Sequence, residues 1–149
     1  MTLPLFSSGD FARVPGAMTA DVPDILLHAN VLNSKDAQAA SFSEERRHLV
    51  RTVNLPSRVL SMTIGGLRPG ESTRKHRHNY ETIIYVLEGS GESIIDDRTV
   101  KWAAGDAFYV PVWAWHSHIN RSHEHAVTYI ACENAPMLQN LGIALRQEE

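Results

Sequence analysis

Two histidines separated by a single residue are the first feature of this chain with a chemical meaning. His76 and His78 flank Arg77. Residues i and i+2 of a β-strand project from the same face, so both imidazoles would point the same way and reach one small ion. Imidazole nitrogen is a common protein ligand for borderline metals such as zinc and ferrous iron. The pair therefore suggests a metal site, although a lone pair of this kind is more often a surface or packing feature.

A second patch carries a third histidine. The chain runs from Gly105 through Pro111 to His116 and then to Asn120. The Pro111 turn should redirect the chain so that the next strand brings His116 back towards the first pair. The two patches together are more specific than either alone. We therefore predict one metal ion bound by His76, His78 and His116.

The segments that would position these residues read as short strands. Stretches rich in β-branched and aromatic residues, each closed by Gly, Pro, Asn or Asp, occupy residues 58–67, 82–87, 92–95, 99–102, 107–110 and 126–132. Strands at this spacing indicate an all-β sandwich or barrel. Helix formers predict a short helix over 33–40, and spaced leucines predict a C-terminal helix over 135–146. We divide the chain into an irregular N-terminal arm with its helix, 1–46, and a barrel with the C-terminal helix, 47–149.

Composition limits the partners and the compartment. The 149 residues suit one domain, and the net charge of −3, without basic stripes, argues against nucleic acid. No apolar run approaches the roughly 20 residues of a membrane span. The single Cys132 and the lack of a signal-peptide pattern lead us to expect a cytoplasmic protein. Because open strand edges are usually covered, we expect a homodimer with the arm or an edge strand at its interface.

At its histidines the sequence resembles the cupin superfamily. The first cupin motif is matched at Gly70, His76, His78 and Gly89. The second is matched at Gly105, Pro111, His116 and Asn120, with Trp113 in place of a glycine. The resemblance implies a small jelly-roll barrel, which agrees with the all-β class that the strand pattern indicates.

A second position also departs from the cupin pattern. The metal-binding glutamate of the family falls at Thr82, and Glu81 stands one residue too early. Strand parity puts Thr82, Ile84 and Val86 on one face, so Glu81 should point away unless a bulge rotates it. We therefore predict a three-histidine site without a carboxylate.

The string from Pro111 to Asn120, together with His76, His78 and the missing glutamate, resembles gentisate 1,2-dioxygenases and their salicylate and hydroxynaphthoate relatives. These enzymes hold ferrous iron by three histidines and cleave an aromatic ring with dioxygen. The resemblance implies an Fe(II) dioxygenase for a small hydroxylated aromatic or chelating acid. Two alternatives stay open: a Zn, Mn or Ni site that catalyses an isomerase, lyase or hydrolytic step, and a non-catalytic cupin that binds a small molecule.

Other residues near the motifs are candidates for catalysis. His118 shares the parity of His116 and would orient substrate, or else be a buried histidine bonded to a neighbour. Tyr80 lies beside the metal pair and would gate or ionise substrate, or else belong to a surface loop. Trp113 and Trp115 would line the mouth of the pocket or pack, and packing is the better reading for Trp115. The remaining candidates are expected to be structural or solvated: His28, His48, His123, His125 and the charge run at 44–47.

Overall fold

The computed structural model describes residues 9, 19–33 and 37–149, without the side chains of 37–39. Its helices are α1, Ala37–Arg46, and α2, Ala135–Asn140, and a 3-10 turn spans Val31–Asn33. Its strands are β1 Leu49–Thr52, β2 Ser61–Leu67, β3 His76–His78, β4 Thr82–Glu88, β5 Ser90–Ile95, β6 Arg98–Ala103, β7 Ala107–Val110, β8 His116–Ile119, β9 Val127–Glu133 and β10 Arg146–Glu148.

The strands form two five-stranded antiparallel sheets. One sheet has the order β1-β2-β9-β4-β7 and the other β10-β3-β8-β5-β6. Both strands with predicted metal ligands, β3 and β8, are neighbours at the centre of the second sheet. Strands distant in the sequence thus become adjacent, and this brings the two histidine patches together.

The hydrophobic core follows from the alternation of buried and exposed side chains. In β4 the even-numbered Thr82, Ile84 and Val86 are buried, while Ile83 and Tyr85 are exposed. The buried cluster comprises Leu67, Ile84, Val86, Trp102, Val110, Val127, Tyr129 and Ala131. Each Leu, Ile or Val side chain of this cluster stabilises the fold by about 1.5–3 kcal/mol when fully buried. The all-β barrel predicted from the sequence is confirmed.

Most strand predictions are confirmed and two strands were missed. All six predicted segments contain a strand, with ends displaced by up to three residues. The missed strands are β1 and β10, which have four and three residues. Neither segment shows a clear alternation of apolar and polar residues, the pattern that predicts a strand from sequence. They form because β2 and β3 offer them partners.

The C-terminal helix is shorter than predicted. The helix expected over 135–146 ends at Asn140, and Gly142 follows with a left-handed φ of 73°. The N–H groups of Gly142 and Ile143 bond back to the carbonyls of Gln139 and Leu138 at 3.0 Å. A glycine in this conformation is a common helix stop, so the chain turns and enters β10 instead of continuing.

The N-terminal helix lies later than predicted. It was expected over 33–40 and is found at Ala37–Arg46. Residues 34–36, like 1–8 and 10–18 of the predicted arm, lie outside the described residues. Arg47, with a left-handed φ of 58°, ends the helix and turns the chain into β1. Among the described helices, none is long and apolar enough to cross a membrane.

Candidate metal centre

Two paired strands bring the three predicted ligands together. His76 of β3 lies directly opposite His116 of β8, and His78 lies two residues further along β3 on the same face. All three are buried. Their ring centroids are 4.2 to 5.7 Å apart, and one ligand atom from each lies within 4.8 Å of the other two. In the part of the chain that is described, they form a group that can hold one metal ion.

A backbone carbonyl fixes the proton of each imidazole. His76 Nδ1 lies 2.8 Å from the carbonyl oxygen of Arg74, His78 Nδ1 2.8 Å from that of Tyr80, and His116 Nδ1 2.9 Å from that of Ala114. A carbonyl only accepts, so each Nδ1 must carry the hydrogen. In a neutral ring, Nε2 is then left with a lone pair. Metal-binding histidines usually donate their other N–H in this way, and the triad therefore fits a metal.

Burial keeps these rings neutral. It is the main cause that lowers the pKa of His76 and of His116, and it lowers the pKa of His78 to about 4. Positive charge on His116 would lower the pKa of its two neighbours further. A neutral imidazole is the form that coordinates metal, so the cluster is ready to bind an ion at neutral pH.

The triad opens into a cavity of about 510 Å³ between the sheets. Ile84, Tyr129 and Ala131 give it an apolar wall. Such a volume, mostly apolar with a few converging polar groups, is typical of small-molecule sites.

Glu81 lies outside the metal centre. It is exposed, and its Oε1 accepts a 3.0 Å hydrogen bond from Tyr109 Oη. The only register shift between β4 and β9 falls at Val86/Glu88, after Thr82, so it does not rotate the start of the strand. Thr82 faces inward instead, and its hydroxyl donates to Glu133 at 3.2 Å. The parity prediction for Thr82 is confirmed.

His118 and Tyr80 both line the cavity. His118 is buried, with its ring centroid 5.6 Å from that of His116, and burial lowers its pKa to about 3. Tyr80 is half-buried and stacks on His78, with ring centroids 3.9 Å apart and planes within 1°. Burial, followed by the charge of Glu133, raises the pKa of Tyr80, so its phenol is protonated at neutral pH.

The two tryptophans lie away from the cavity. Trp113 and Trp115 hold the guanidinium of Arg77 between them, with Arg77 Cζ 4.5 and 4.6 Å from the two ring centroids. Trp113 has a left-handed φ of 64°, which explains why the cupin motif has a glycine there. Its N–H donates to the carbonyl of His78 at 2.7 Å and so ties this turn to β3. Neither tryptophan lines the cavity, which agrees with the packing interpretation of Trp115, and Trp113 is 39% exposed.

Sequence reasoning missed four ionisable residues of the cavity: Arg46, His48, Glu133 and Arg146. Glu133 had a signal, because it continues the inward parity of Tyr129 and Ala131 on β9. Arg46 and Arg146 had none, because α1 was placed too early and β10 was missed, and His48 lies in the connection between α1 and β1, where no periodicity points to the cavity. The charge run at 44–47 was predicted to be solvated, and for Arg46 that prediction is wrong.

Known proteins similar to this chain have the barrel fold that the structure shows. The family model described as "Cupin domain" matches residues 64–132. This chain is thus similar to the cupin family over just under half of its length. It is 38% identical over 81 residues to 5-aminosalicylate 1,2-dioxygenase of a Comamonas species, covering 54% of this chain and 21% of that protein. It is 34% identical over 70 residues to gentisate 1,2 dioxygenase 1 of Aquipseudomonas alcaligenes, covering 44% and 20%.

Solved structures support the fold. A salicylate 1,2-dioxygenase from Pseudoaminobacter salicylatoxidans with gentisate aligns with a TM-score of 0.65 and 21% identity, covering 75% of this chain and 33% of that one. The barrel thus has the same fold as part of that structure. The chain spans about a fifth of the length of the sequence relatives and a third of the structural one.

Removal of a triad histidine should abolish metal binding while the barrel still folds. We expect His76→Ala, His78→Ala or His116→Ala each to lose most of the bound metal, because two imidazoles hold an ion far less tightly than three. Elemental analysis with circular dichroism would measure both properties. Glu81→Gln is the matched control and should retain its metal. Full stoichiometric metal in all three alanine variants would rule out the triad.

The metal-free protein should lose stability as the pH falls from 7.5 to 5. The pKa values of His76, His78, His116 and His118 are lowered on folding, so below their ordinary value of 6.5 the unfolded chain binds protons that the folded chain refuses. Each such histidine contributes a slope of about 1.4 kcal/mol per pH unit. His48, whose pKa burial also lowers, acts in the same direction as these four, whereas the raised pKa of Glu133 acts in the opposite direction.

Urea unfolding in the presence of a chelator would measure this slope. His78→Phe should reduce it, whereas an exposed substitution, His123→Asn, should not. A free energy of unfolding that is constant between pH 7 and 5 would contradict neutral buried histidines.

Proposed function

We propose that this protein is an Fe(II)-dependent dioxygenase that cleaves a small hydroxylated aromatic acid. The observation that carries the proposal is a neutral three-histidine face opening into a cavity whose other polar groups include two arginines. His76, His78 and His116 would hold the iron through Nε2. When bound, the iron would supply open coordination positions for a chelating substrate and electron transfer to dioxygen. The relatives named as aminosalicylate and gentisate dioxygenases support this choice.

The two arginines favour an anionic substrate. Arg46 and Arg146 lie close enough that the positive charge of Arg146 lowers the pKa of Arg46, after burial. They share one carboxylate, that of Glu148, at 3.4 and 2.7 Å. Arg46 Nε is buried and has no hydrogen-bond partner among the described residues. A substrate carboxylate would compensate the excess charge at this end of the cavity.

His118 and Tyr80 would act on the substrate. The Nδ1 of His118 is engaged by a neighbouring side chain, and its other nitrogen is free to meet a bound ligand. The Tyr80 phenol, kept protonated by burial, offers a second donor beside His78. Both would orient the ring, while Ile84 and Ala131 exclude water around it.

A second candidate function is a metal-dependent isomerase or lyase. Glu133 favours it, because this carboxyl lies in the cavity and burial raises its pKa, as expected for a proton-transfer group. Zn, Mn or Ni would replace iron in that case, since no redox step is involved. A cupin that binds a small molecule without catalysis would use the same cavity.

The proposed assembly is a cytoplasmic homodimer. Val22, Ile25, Leu26 and Leu27 of the described arm are 57 to 77% exposed. Four apolar side chains in such a short exposed segment suit a protein interface. We assign that segment to a second copy of this chain.

The first functional test is oxygen chemistry with salicylate and gentisate. Under anaerobic conditions, either acid should perturb the spectrum of the Fe(II) protein. When air is then admitted, the reaction should consume one dioxygen molecule per molecule of substrate. With ¹⁸O₂, the label should appear in a ring-opened product detected by mass spectrometry. His118→Ala should lower turnover more than iron content. Acids that bind without oxygen uptake would favour the proton-transfer alternative, and acids that never bind would contradict both.

The second test concerns substrate charge. Arg46→Gln should weaken salicylate binding by about tenfold or more, because a charged hydrogen bond contributes about 1.5–3 kcal/mol. Binding of the neutral salicylamide should change little. Calorimetry on the zinc-loaded protein would measure both, with the exposed neighbour Arg47→Gln as control. Equal losses for the acid and the amide would argue against a carboxylate contact.

The third test concerns assembly. Light scattering should give twice the chain mass of 16.6 kDa. Substitution of Ile25, Leu26 and Leu27 by serine should shift the protein to the monomer, because it removes the apolar contact. Leu141→Ser, at an equally exposed leucine outside the arm, is the control. A wild-type monomer at all practical concentrations would exclude the dimer.

A further inference from the structure

A buried chain of hydrogen bonds crosses three neighbouring strands behind the metal centre. Trp102 Nε1 on β6 lies 2.9 Å from Ser93 Oγ on β5, and Ser93 Oγ lies 2.7 Å from His118 Nδ1 on β8. Ser93 is 0% exposed, and both rings are buried. These hydrogen bonds therefore lie in the protein interior, where each N–H or O–H hydrogen needs a protein acceptor.

The direction of these bonds follows from the donors. An indole N–H only donates, so Ser93 Oγ must accept from Trp102. The Ser93 hydroxyl has one hydrogen of its own, and His118 Nδ1 is its other hydrogen-bond partner among the described residues. A buried hydroxyl hydrogen without an acceptor costs about 1–3 kcal/mol. Ser93 therefore donates, and His118 Nδ1 accepts.

His118 consequently carries its proton on the opposite nitrogen from the three triad histidines. A neutral imidazole has one N–H, so an accepting Nδ1 leaves the hydrogen on Nε2. We propose that Trp102 and Ser93 fix His118 as an Nε2–H donor that contacts an anionic oxygen of the bound substrate and cannot coordinate the metal. Trp102 and Ser93 are positioning residues in this arrangement.

The surroundings of His118 hold its ring in place for this contact. Its backbone N–H donates to Thr73 Oγ1 at 2.9 Å, and its carbonyl accepts from the Thr73 N–H at 2.9 Å. The rings of Phe108 and Tyr129 flank it, with centroids 5.8 and 6.0 Å away. With Nδ1 bonded to Ser93, Nε2 is the ring nitrogen that His118 has left for a contact in the cavity it lines.

Nitrogen NMR of the metal-free protein tests the tautomer directly. In ¹⁵N-labelled wild type, we expect His76, His78 and His116 to have a protonated Nδ1, and His118 a protonated Nε2. Ser93→Ala should remove the preference of His118. A wild-type His118 protonated on Nδ1 would overturn the proposal. Because this measurement uses the wild-type protein, it does not depend on whether any variant folds.

A binding cycle on the zinc-loaded protein tests the contact with substrate, which rests on the proposed function. Ser93→Ala should weaken salicylate binding by roughly three- to tenfold with unchanged zinc content, because a net hydrogen bond contributes about 0.5–1.5 kcal/mol. His118→Ala should weaken it at least as much, and the double variant no further, since both remove one interaction. Ser93→Thr, which keeps the hydroxyl, should restore much of the affinity.

The two readouts separate the possible failures. Independent, additive losses in the double variant would overturn the positioning role of Ser93. If the wild-type protein does not bind salicylate while His118 has its proton on Nε2, the substrate assignment and the proposed contact fail, and the tautomer stands.

Discussion

Three hydrogen bonds from imidazole N–H groups to backbone carbonyls orient the three histidines of the candidate metal centre. Each carbonyl lies two residues from the histidine it orients, so short stretches of β3, β8 and their flanking turns set the tautomers. Because the acceptors belong to the backbone, no side-chain substitution elsewhere removes them. Three lone pairs then face one another in a buried pocket, an arrangement that would be costly without an ion to share.

The rest of the barrel serves to bring β3 against β8. His76 and His116 are 40 positions apart in the chain, and they face each other only because the sheet order makes their strands neighbours. The Trp113 turn strengthens this contact by donating to the carbonyl of His78. The non-local pairing that defines the barrel also defines the candidate metal centre. Fold and site therefore depend on the same contacts.

The sequence predicted the parts of the site that lie on regular strands with strong motifs. His76, His78 and His116 followed from spacing, and the inward position of Thr82 followed from parity, because strand periodicity of two leaves little freedom. The basic end of the cavity was not predictable in this way. Arg46 sits at the end of a helix placed several residues too early, and Arg146 belongs to a strand of three residues that was taken as helix. Both positions depend on tertiary contacts that local sequence does not encode.

The most direct test of this account is the structure of the anaerobic Fe(II)-loaded protein. We predict one iron bound by Nε2 of His76, His78 and His116 at about 2.0–2.1 Å, the usual length of a metal–imidazole bond, with His118 and Glu81 outside the coordination sphere. Coordination by His118, by Glu81 or through any Nδ1 would contradict it.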